Sequence, residues 1–521
     1  MAAGSSSPNR PAYSYALVPN QVGLDDLDEP ARPSKPGQFT EHLEDGFLTT
    51  DDGVTNSVSP EEEEAAERAL VRKIDRKIMP CLFAMIVLNY LDRNALANAR
   101  VQGIEKSLNM KGAQFNTAIS ILFVGYIALQ IPSNLLLTRV RPSIYLPGCM
   151  ILWGILSGMS AGVQSFGGLV TVRFFLGMVE APYFPGALFL LSSWYTRKEL
   201  ALRTSILYSG SLLSGGFGGL IGAGVQSGLD GVFGIESWRW LFLLEACCTI
   251  TLAIAAMFIL PDYPHTTRSF TPAERALAVK RMQTGSHNVE RGSLLSGLYA
   301  AITDYKVHLL AFIILTKTSA AAVTSFIPTL VSTFGYPQVT TLLLVAPPYV
   351  FATLITLAVS YSSDHFSSRA THIILPMAFA ASGYILAACT LHLAARYLSL
   401  FIMLSGVYGS YNVALAWISS TLPHPVEKRS AAIAVINTVG NLAQVYSPYM
   451  YLERDAPRYL PAMVADATVC CACVGAAGLL WWCLRRENLR LEAAERDDGD
   501  DGDEDGGNVG KGATGGFRYQ L

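Results

Sequence analysis

Between residues 78 and 484 the sequence divides into about twelve apolar segments, each near the 20 residues an α-helix needs to cross a hydrocarbon core of about 30 Å. They centre near residues 88, 126, 154, 178, 213, 250, 319, 352, 382, 408, 442 and 474. In lipid every backbone polar group must be satisfied internally, so such a series folds as a bundle of helices. A longer polar stretch, from about Pro261 to Lys306, separates the sixth segment from the seventh. The expected chain is therefore an all-α membrane protein with bundles over 78–260 and 307–484, a central loop over 261–306, and tails over 1–77 and 485–521.

Charge supports the same division. Only 15% of the residues are charged, against about 25% in an average soluble chain. Of 41 acidic residues about 25 fall before residue 78 or after residue 484, so acidic tails offset a basic membrane region and the net charge of −3 says little about the core. A soluble domain on a single anchor is excluded. The first 60 residues, rich in Ser, Pro, Gly, Asp and Glu, are expected to be disordered, and no cleaved signal peptide is expected. A short amphipathic helix is expected from about Pro60 to Lys77, with Glu61 to Glu64 at its start and Arg72, Lys73, Arg76 and Lys77 near its end. The acidic run Asp497 to Asp505 reads as a solubilising tail, and residues 485–521 are expected to be disordered.

Lys and Arg in the short loops orient the bundle. With both termini cytoplasmic, the inner loops carry Arg139, Arg141, Arg197, Lys198, Arg203, Arg369, Lys428 and Arg429, and the outer loops fewer. The nine cysteines lie in or at the ends of the apolar segments, so no structural disulfide is expected, and Cys470, Cys471 and Cys473 lack zinc-site spacing. No metal, cofactor or nucleic acid is expected. The lipid bilayer is the obligatory partner, and a monomer is the expected state.

Charges inside the segments are costly in lipid and face a partner or a watery cavity. They are Asp92 and Arg93 in the first helix, Arg173 and Glu180 in the fourth, Glu245 in the sixth and Lys317 in the seventh. At 1.5 Å per residue, Asp92 and Arg173 both fall about 9 Å below the outer surface, and Glu180 lies about 10 Å deeper on the face of Arg173. This layering suggests that Asp92 pairs with Arg173, leaving Arg93 partly uncompensated and aimed into a cavity where an anion supplies the missing charge. Glu180 would carry a proton. The alternative is a static buried salt-bridge network that fixes helix register.

Glu245, a turn or two after Trp238 and Arg239, reads equally as part of an interfacial pair. Lys317 lies about 15 Å deep, as a second cationic substrate contact, as a partner of Glu180 in the empty cavity, or as a packed lysine bonded to carbonyls. The fifth helix carries Gly210, Gly215, Gly216, Gly218, Gly219, Gly222 and Gly224, which allow close approach. Pro347 and Pro348 in the eighth, and Gly440, Asn441 and Pro448 in or near the eleventh, suggest bends. Tyr349, Tyr408, Asn412, Trp417, Asn437 and Gln444 are candidate substrate contacts or polar packing residues.

Several motifs carry a resemblance. Asn89-Tyr90-Leu91-Asp92-Arg93, Gly125-Tyr126 through Ile131-Pro132-Ser133-Asn134, Arg173-Phe174-Phe175-Leu176-Gly177 to Glu180-Ala181, Phe184-Pro185-Gly186 and Ser193-Trp194-Tyr195 resemble the anion:cation symporter family of the major facilitator superfamily. Trp238-Arg239-Trp240-Leu241-Phe242 with Glu245, Phe326-Ile327-Pro328-Thr329 and Pro347-Pro348-Tyr349 are similar to its fungal allantoate and nicotinate permease branch. The resemblance covers about residues 76 to 485.

It implies the major facilitator fold, with twelve transmembrane helices around a central cavity, and proton-coupled uptake of a small organic anion. Such substrates include vitamin and nitrogen-source carboxylates like nicotinate, pantothenate, biotin or allantoate. It implies that Arg93 holds the substrate carboxylate, that Asp92 and Glu180 take protons, and that Arg173 pairs with them. Apart from the resemblance, Asn89, Lys317, Tyr349 and Asn437 are the further candidate substrate-binding residues. The proton is then the coupling ion and the plasma membrane the expected location. Ser419-Ser420-Thr421 and His424-Pro425 depart from the family pattern, as does Lys317. A proton-driven exporter would share the fold, but such antiporters carry a Gly-Pro pair in the fifth helix, which here has no proline. A non-transporting nutrient sensor would retain the tails and bind without accumulating. An enzyme is not expected, since no nucleophile elbow or metal constellation is present.

Overall fold

The computed structural model describes residues 60–137, 140–267, 269–284, 294–422, 426–500 and 518–520. The expected disorder of residues 1 to 59, His424-Pro425, the middle of the central loop and residues 501–517 of the acidic tail lie outside the described residues. Residues 485–500, expected in the disordered tail, instead continue the last helix, which runs from Leu460 to Asp500. Of residues 1–63 the first turn of a helix is described, and residues 64–521 form one compact unit.

Twelve long helices follow in order. The first half contains α1 (Pro60–Val101), α2 (Gln114–Leu137), α3 (Pro142–Met159), α4 (Phe166–Trp194), α5 (Arg197–Gly228) and α6 (Ser237–Ile259). The second contains α7 (Tyr305–Ser332), α8 (Gln338–His365), α9 (Thr371–Cys389), α10 (Leu393–Thr421), α11 (Val426–Tyr446) and α12 (Leu460–Asp500). Among the described residues there is no strand, and nine helices, α3 to α10 and α12, are long and apolar enough to cross a membrane. In α2 the stretch Gln114–Gln130 is apolar but shorter, whereas α1 and α11 are more polar because they carry Asp92 and Arg93, and Asn437, Asn441 and Gln444.

The short helix expected to end at Lys77 is instead the start of α1, which runs unbroken for 42 residues through Pro80. Its first turns project on the side where α12 ends, called here the terminal face. There Asp75 accepts hydrogen bonds from Arg203 Nε and Nη2 (2.7 and 2.8 Å) and from the Tyr195 hydroxyl (2.7 Å). The connecting helix Pro272–Thr284 is tied to the same region through Lys73–Glu274 (2.7 Å), Arg281–Glu67 (2.6 Å) and Arg281–Glu199 (2.8 Å).

Two of the helices are broken where the candidate residues sit. Helix α4 is regular over Phe166–Glu180 and again over Tyr183–Trp194, with Pro182 between, because proline donates no hydrogen bond to the preceding turn. Helix α7 is regular over Tyr305–Ala320, tightens to 3-10 turns over Ala321–Phe326, and resumes over Ile327–Ser332.

The halves meet along α5–α8 and α2–α11. In the first seam the glycines of α5 allow the approach expected of them. A Cβ built on Gly215 would lie 2.3 Å from the Tyr349 ring, and one on Gly219 2.7 Å from the Leu342 carbonyl. At the face opposite the termini, Asn116 Nδ2 donates to the carbonyls of Pro448 and Tyr451 (2.5 and 2.9 Å) and Gln338 Nε2 to that of Val101 (3.1 Å). Phe115 meets Phe326 edge to face at 6.2 Å, and Phe326 stacks on Tyr451 at 4.6 Å.

Gly215→Val should lower the thermal midpoint of the purified protein by several degrees, whereas Gly224→Ala, where an added Cβ meets nothing within 4 Å, should leave it unchanged. A second expectation concerns Asp75. Burial raises its carboxyl, but hydrogen bonds from Arg203 and Tyr195 and the charges of Arg203 and Arg281 outweigh this and hold it below its ordinary 3.8. A depressed carboxylate contributes stability above its unfolded pKa and loses it as pH falls through the folded one. Asp75→Asn should therefore lower the midpoint at pH 7, with the difference from wild type shrinking below about pH 4.

Candidate functional site

A central cavity of about 130 Å³ lies between the halves. Its lining includes three cations, Arg93, Arg173 and Lys317, and no carboxylate among the described residues. The acidic groups of the first half stand behind the wall.

Arg93 Nε donates to Glu180 Oε2 at 2.7 Å, with Glu180 fully buried. The guanidinium also lies 4.9 Å from the Tyr126 ring, 5.2 Å from Tyr90 and 5.8 Å from Phe123, three rings whose faces favour a cation. Helix α4 presents Glu180 at the last residue before its break and packs so closely on α2 that a Cβ at Gly177 would fall 1.9 Å from the Leu122 carbonyl.

Asp92 does not pair with Arg173. Its two oxygens accept from the hydroxyls of Ser157 on α3 (2.9 Å) and Thr249 on α6 (3.3 Å). Arg173 instead donates through Nε to the Ala118 carbonyl (3.3 Å), and its Nη1 has no hydrogen-bond partner among the described residues. The expectation failed because depth was counted from Cα positions alone. Side chains lean toward the N-terminus of their own helix. Arg93 on α1 leans toward the terminal face and Glu180, while Arg173 on the antiparallel α4 leans the other way. Adjacent residues on a helix also diverge by about 100°, which turns Asp92 toward α3 and α6.

Glu245 is not paired with Arg239 either. It is buried, neither carboxylate oxygen has a hydrogen-bond partner among the described residues, and Arg239 binds Glu236 (3.1 Å) and the carbonyls of Ala161 and Val163 (2.5 and 2.9 Å). Asn89, one turn before Arg93, is buried behind the wall with its amide nitrogen unbonded among the described residues.

In the second half Lys317 is buried but does not reach Glu180. Its ammonium lies 3.5 Å from the centre of the Tyr411 ring and 5.4 Å from that of Tyr408. The Tyr411 ring stacks on Tyr208 of α5 at 4.3 Å. Lysine, tyrosine and tyrosine thus form a layered contact joining α7, α10 and α5 across the two halves. Asn437, Tyr408 and Gln444 line the cavity. Tyr349 does not: its ring fills the α5 seam and its hydroxyl donates to the Thr324 carbonyl (3.1 Å) in the interrupted part of α7. Asn412 and Trp417 turn elsewhere, toward Ser360 (3.5 Å) and Gln520 (3.1 Å).

Sequence reasoning missed Tyr208, Tyr411 and Asn94 in the lining, and Asp466 in α12. Asp466 is buried and accepts from the Tyr451 hydroxyl (2.5 Å), beside the aromatic stack that closes the opposite face. A lone acidic residue in an apolar segment was the available signal. For Tyr411 there was only its helical spacing from Tyr408, and for Tyr208 there was none.

Tyr411→Leu should remove the ring shared by Lys317 and Tyr208 and open the cavity toward the terminal face. Modification of Lys317 by a water-soluble amine reagent, followed by mass spectrometry, should rise severalfold over wild type.

Comparison with known proteins places this geometry. Residues 82–448 match the family model described as Major Facilitator Superfamily. MFS-type transporter cnsO of Penicillium expansum is 32% identical over 451 residues, covering 83% of this chain and 86% of its own. Major facilitator-type transporter hxnP of Emericella nidulans is 29% identical, covering 82% and 88%. Among solved structures, a D-xylose-proton symporter aligns with a TM-score of 0.61 at 13% identity over 78% of this chain and 97% of that one. An inward-facing bacterial homolog of the human lysosomal transporter Spinster aligns with a TM-score of 0.60 at 17% identity, over 78% and 96%.

Proposed function

The chain belongs to the major facilitator superfamily, and on that basis we propose that it is a proton-coupled symporter that takes up a small organic anion. Membership makes it an integral, multi-pass membrane protein and a secondary transporter, not an enzyme. The observation that carries the finer reading is the charge of the cavity: Arg93, Arg173 and Lys317 on its wall, and Asp92, Glu180 and Glu245 behind it. An anion is the ligand that such a cavity favours. A carboxylate of vitamin or nitrogen-source type, as in the anion:cation symporter family that the motifs resemble, fits the three donors together with Asn437.

Coupling follows from competition. Glu180 holds the Arg93 guanidinium through Nε at 2.7 Å. When Glu180 takes a proton the ion pair is lost, and Arg93 is left to an incoming carboxylate. Release of the anion restores the pair once the proton departs. One proton per monoanion is electroneutral and draws about 1.4 kcal/mol per pH unit. A second proton, for which Asp92 offers a site, adds about 2.3 kcal/mol per 100 mV. The layered Lys317–Tyr411–Tyr208 contact gives the same anion a means to act on the terminal side of the cavity, since a carboxylate on Lys317 draws the ammonium from the ring. The bias of basic loops favours cytoplasmic termini, and we assign the protein to the plasma membrane as a monomer with the proton as its coupling ion.

The test is uptake of labelled small carboxylates by cells expressing the protein, at acidic and neutral external pH, with and without a protonophore. One anion should accumulate, more strongly at acidic pH, and the protonophore should abolish the accumulation. Arg93→Gln should reduce uptake at least about tenfold, the effect of losing one charge-assisted contact. Glu180→Gln should abolish accumulation while leaving exchange of internal for external substrate. Acid-stimulated accumulation by Glu180→Gln would exclude this coupling route.

A further inference from the structure

Beyond the cavity, one contact set has no part in transport as derived above. The segment Arg518–Gln520, which follows the acidic run in sequence, lies against the terminal face of the second half. Asn488 of α12 reads its backbone with both amide atoms: Nδ2 donates to the Tyr519 carbonyl and Oδ1 accepts from the Tyr519 amide, each at 2.9 Å. The Tyr519 hydroxyl accepts from Lys306 Nζ at the start of α7 (2.9 Å), and the same ammonium lies 4.4 Å from the ring centre. The Gln520 carbonyl accepts from the Trp417 indole (3.1 Å), and its side-chain oxygen from Arg369 Nε in the α8–α9 connection (3.3 Å). Arg518 lies 3.7 Å from Glu492.

Three features distinguish this from incidental packing. The receiving groups come from four separate elements, α7, the α8–α9 connection, α10 and α12. Trp417 is completely buried, and its indole nitrogen bonds to this segment; a buried donor left without a partner is strongly disfavoured. A paired amide that both donates to and accepts from one residue's backbone is also how extended peptides are held independently of side-chain identity, while the Lys306 contact selects an aromatic ring.

We propose that Arg518–Gln520 is an internal peptide ligand and that Lys306, Arg369, Trp417 and Asn488 form the site that receives it. Bound there, the segment straps together the terminal ends of α7, α10 and α12. Helix α7 carries Lys317 and α10 carries Tyr411, so the strap holds the spacing of the two helices that build the layered contact below the cavity.

The test uses the full chain with a photoreactive phenylalanine at position 519. Irradiation of the purified protein should give an intramolecular cross-link, mapped by mass spectrometry to peptides containing Lys306 or Asn488, and Asn488→Ala should reduce its yield severalfold. Separately, a chain ending at Phe517 should unfold at a lower temperature than the full chain and bind a labelled Gly-Phe-Arg-Tyr-Gln-Leu peptide saturably, with a scrambled peptide failing to bind. Cross-links mapped elsewhere, a covalent dimer in place of the intramolecular product, or an unchanged yield in Asn488→Ala would overturn the proposal. None of these readouts depends on transport.

Discussion

A guanidinium inside hydrocarbon needs a counter-charge, and much of the first bundle is arranged to give Arg93 one without closing it off. Glu180 meets it from α4, three aromatic rings flank it, and it lines the cavity. Removing one member of such a buried pair typically costs about 3–5 kcal/mol, because the other is left charged and dry. That penalty is what makes a second anion useful: a ligand that replaces Glu180 at Arg93 spares the protein the cost of an unpaired buried charge. Packing of α4 on α2 at Gly177 fixes the axis from which Glu180 projects, and the break at Pro182 follows immediately after it.

Breaks of this kind recur where polar chemistry is needed. In α7 the 3-10 turns after Lys317 free carbonyls that a regular helix would have used, and Tyr349 reaches from α8 to bind the one at Thr324. The tyrosine therefore belongs to the support of the site and not to its surface. Its ring fits because α5 offers Gly215 in place of a side chain, so one seam joins the two halves and stabilises the interruption in α7.

The fold was legible because its signal is long and repeated: twelve apolar segments and one polar interruption leave little freedom of architecture. Part of the site was legible for a related reason. Charges are rare in lipid, so Asp92, Arg93, Arg173, Glu180, Glu245 and Lys317 could be picked out one by one. Their pairing was not legible, since Cα depth along ideal helices omits the lean of each side chain, and for an arginine that omission is as large as the distances being compared. Tyr208 and Tyr411 were hidden for the opposite reason. Tyrosine is ordinary in a membrane helix, and only the approach of α5 to α10 reveals that these two rings stack.

The length of α1 has a mechanical consequence. At 1.5 Å per residue its 42 residues extend about 63 Å, roughly twice the hydrocarbon thickness. The turns before Ile78 form a rigid arm continuous with the helix that holds Arg93, and Lys73 and Glu67 grip the connecting helix that leads to the second bundle. Any tilt of α1 about the middle of the bilayer is magnified at the far end of this arm, outside the membrane.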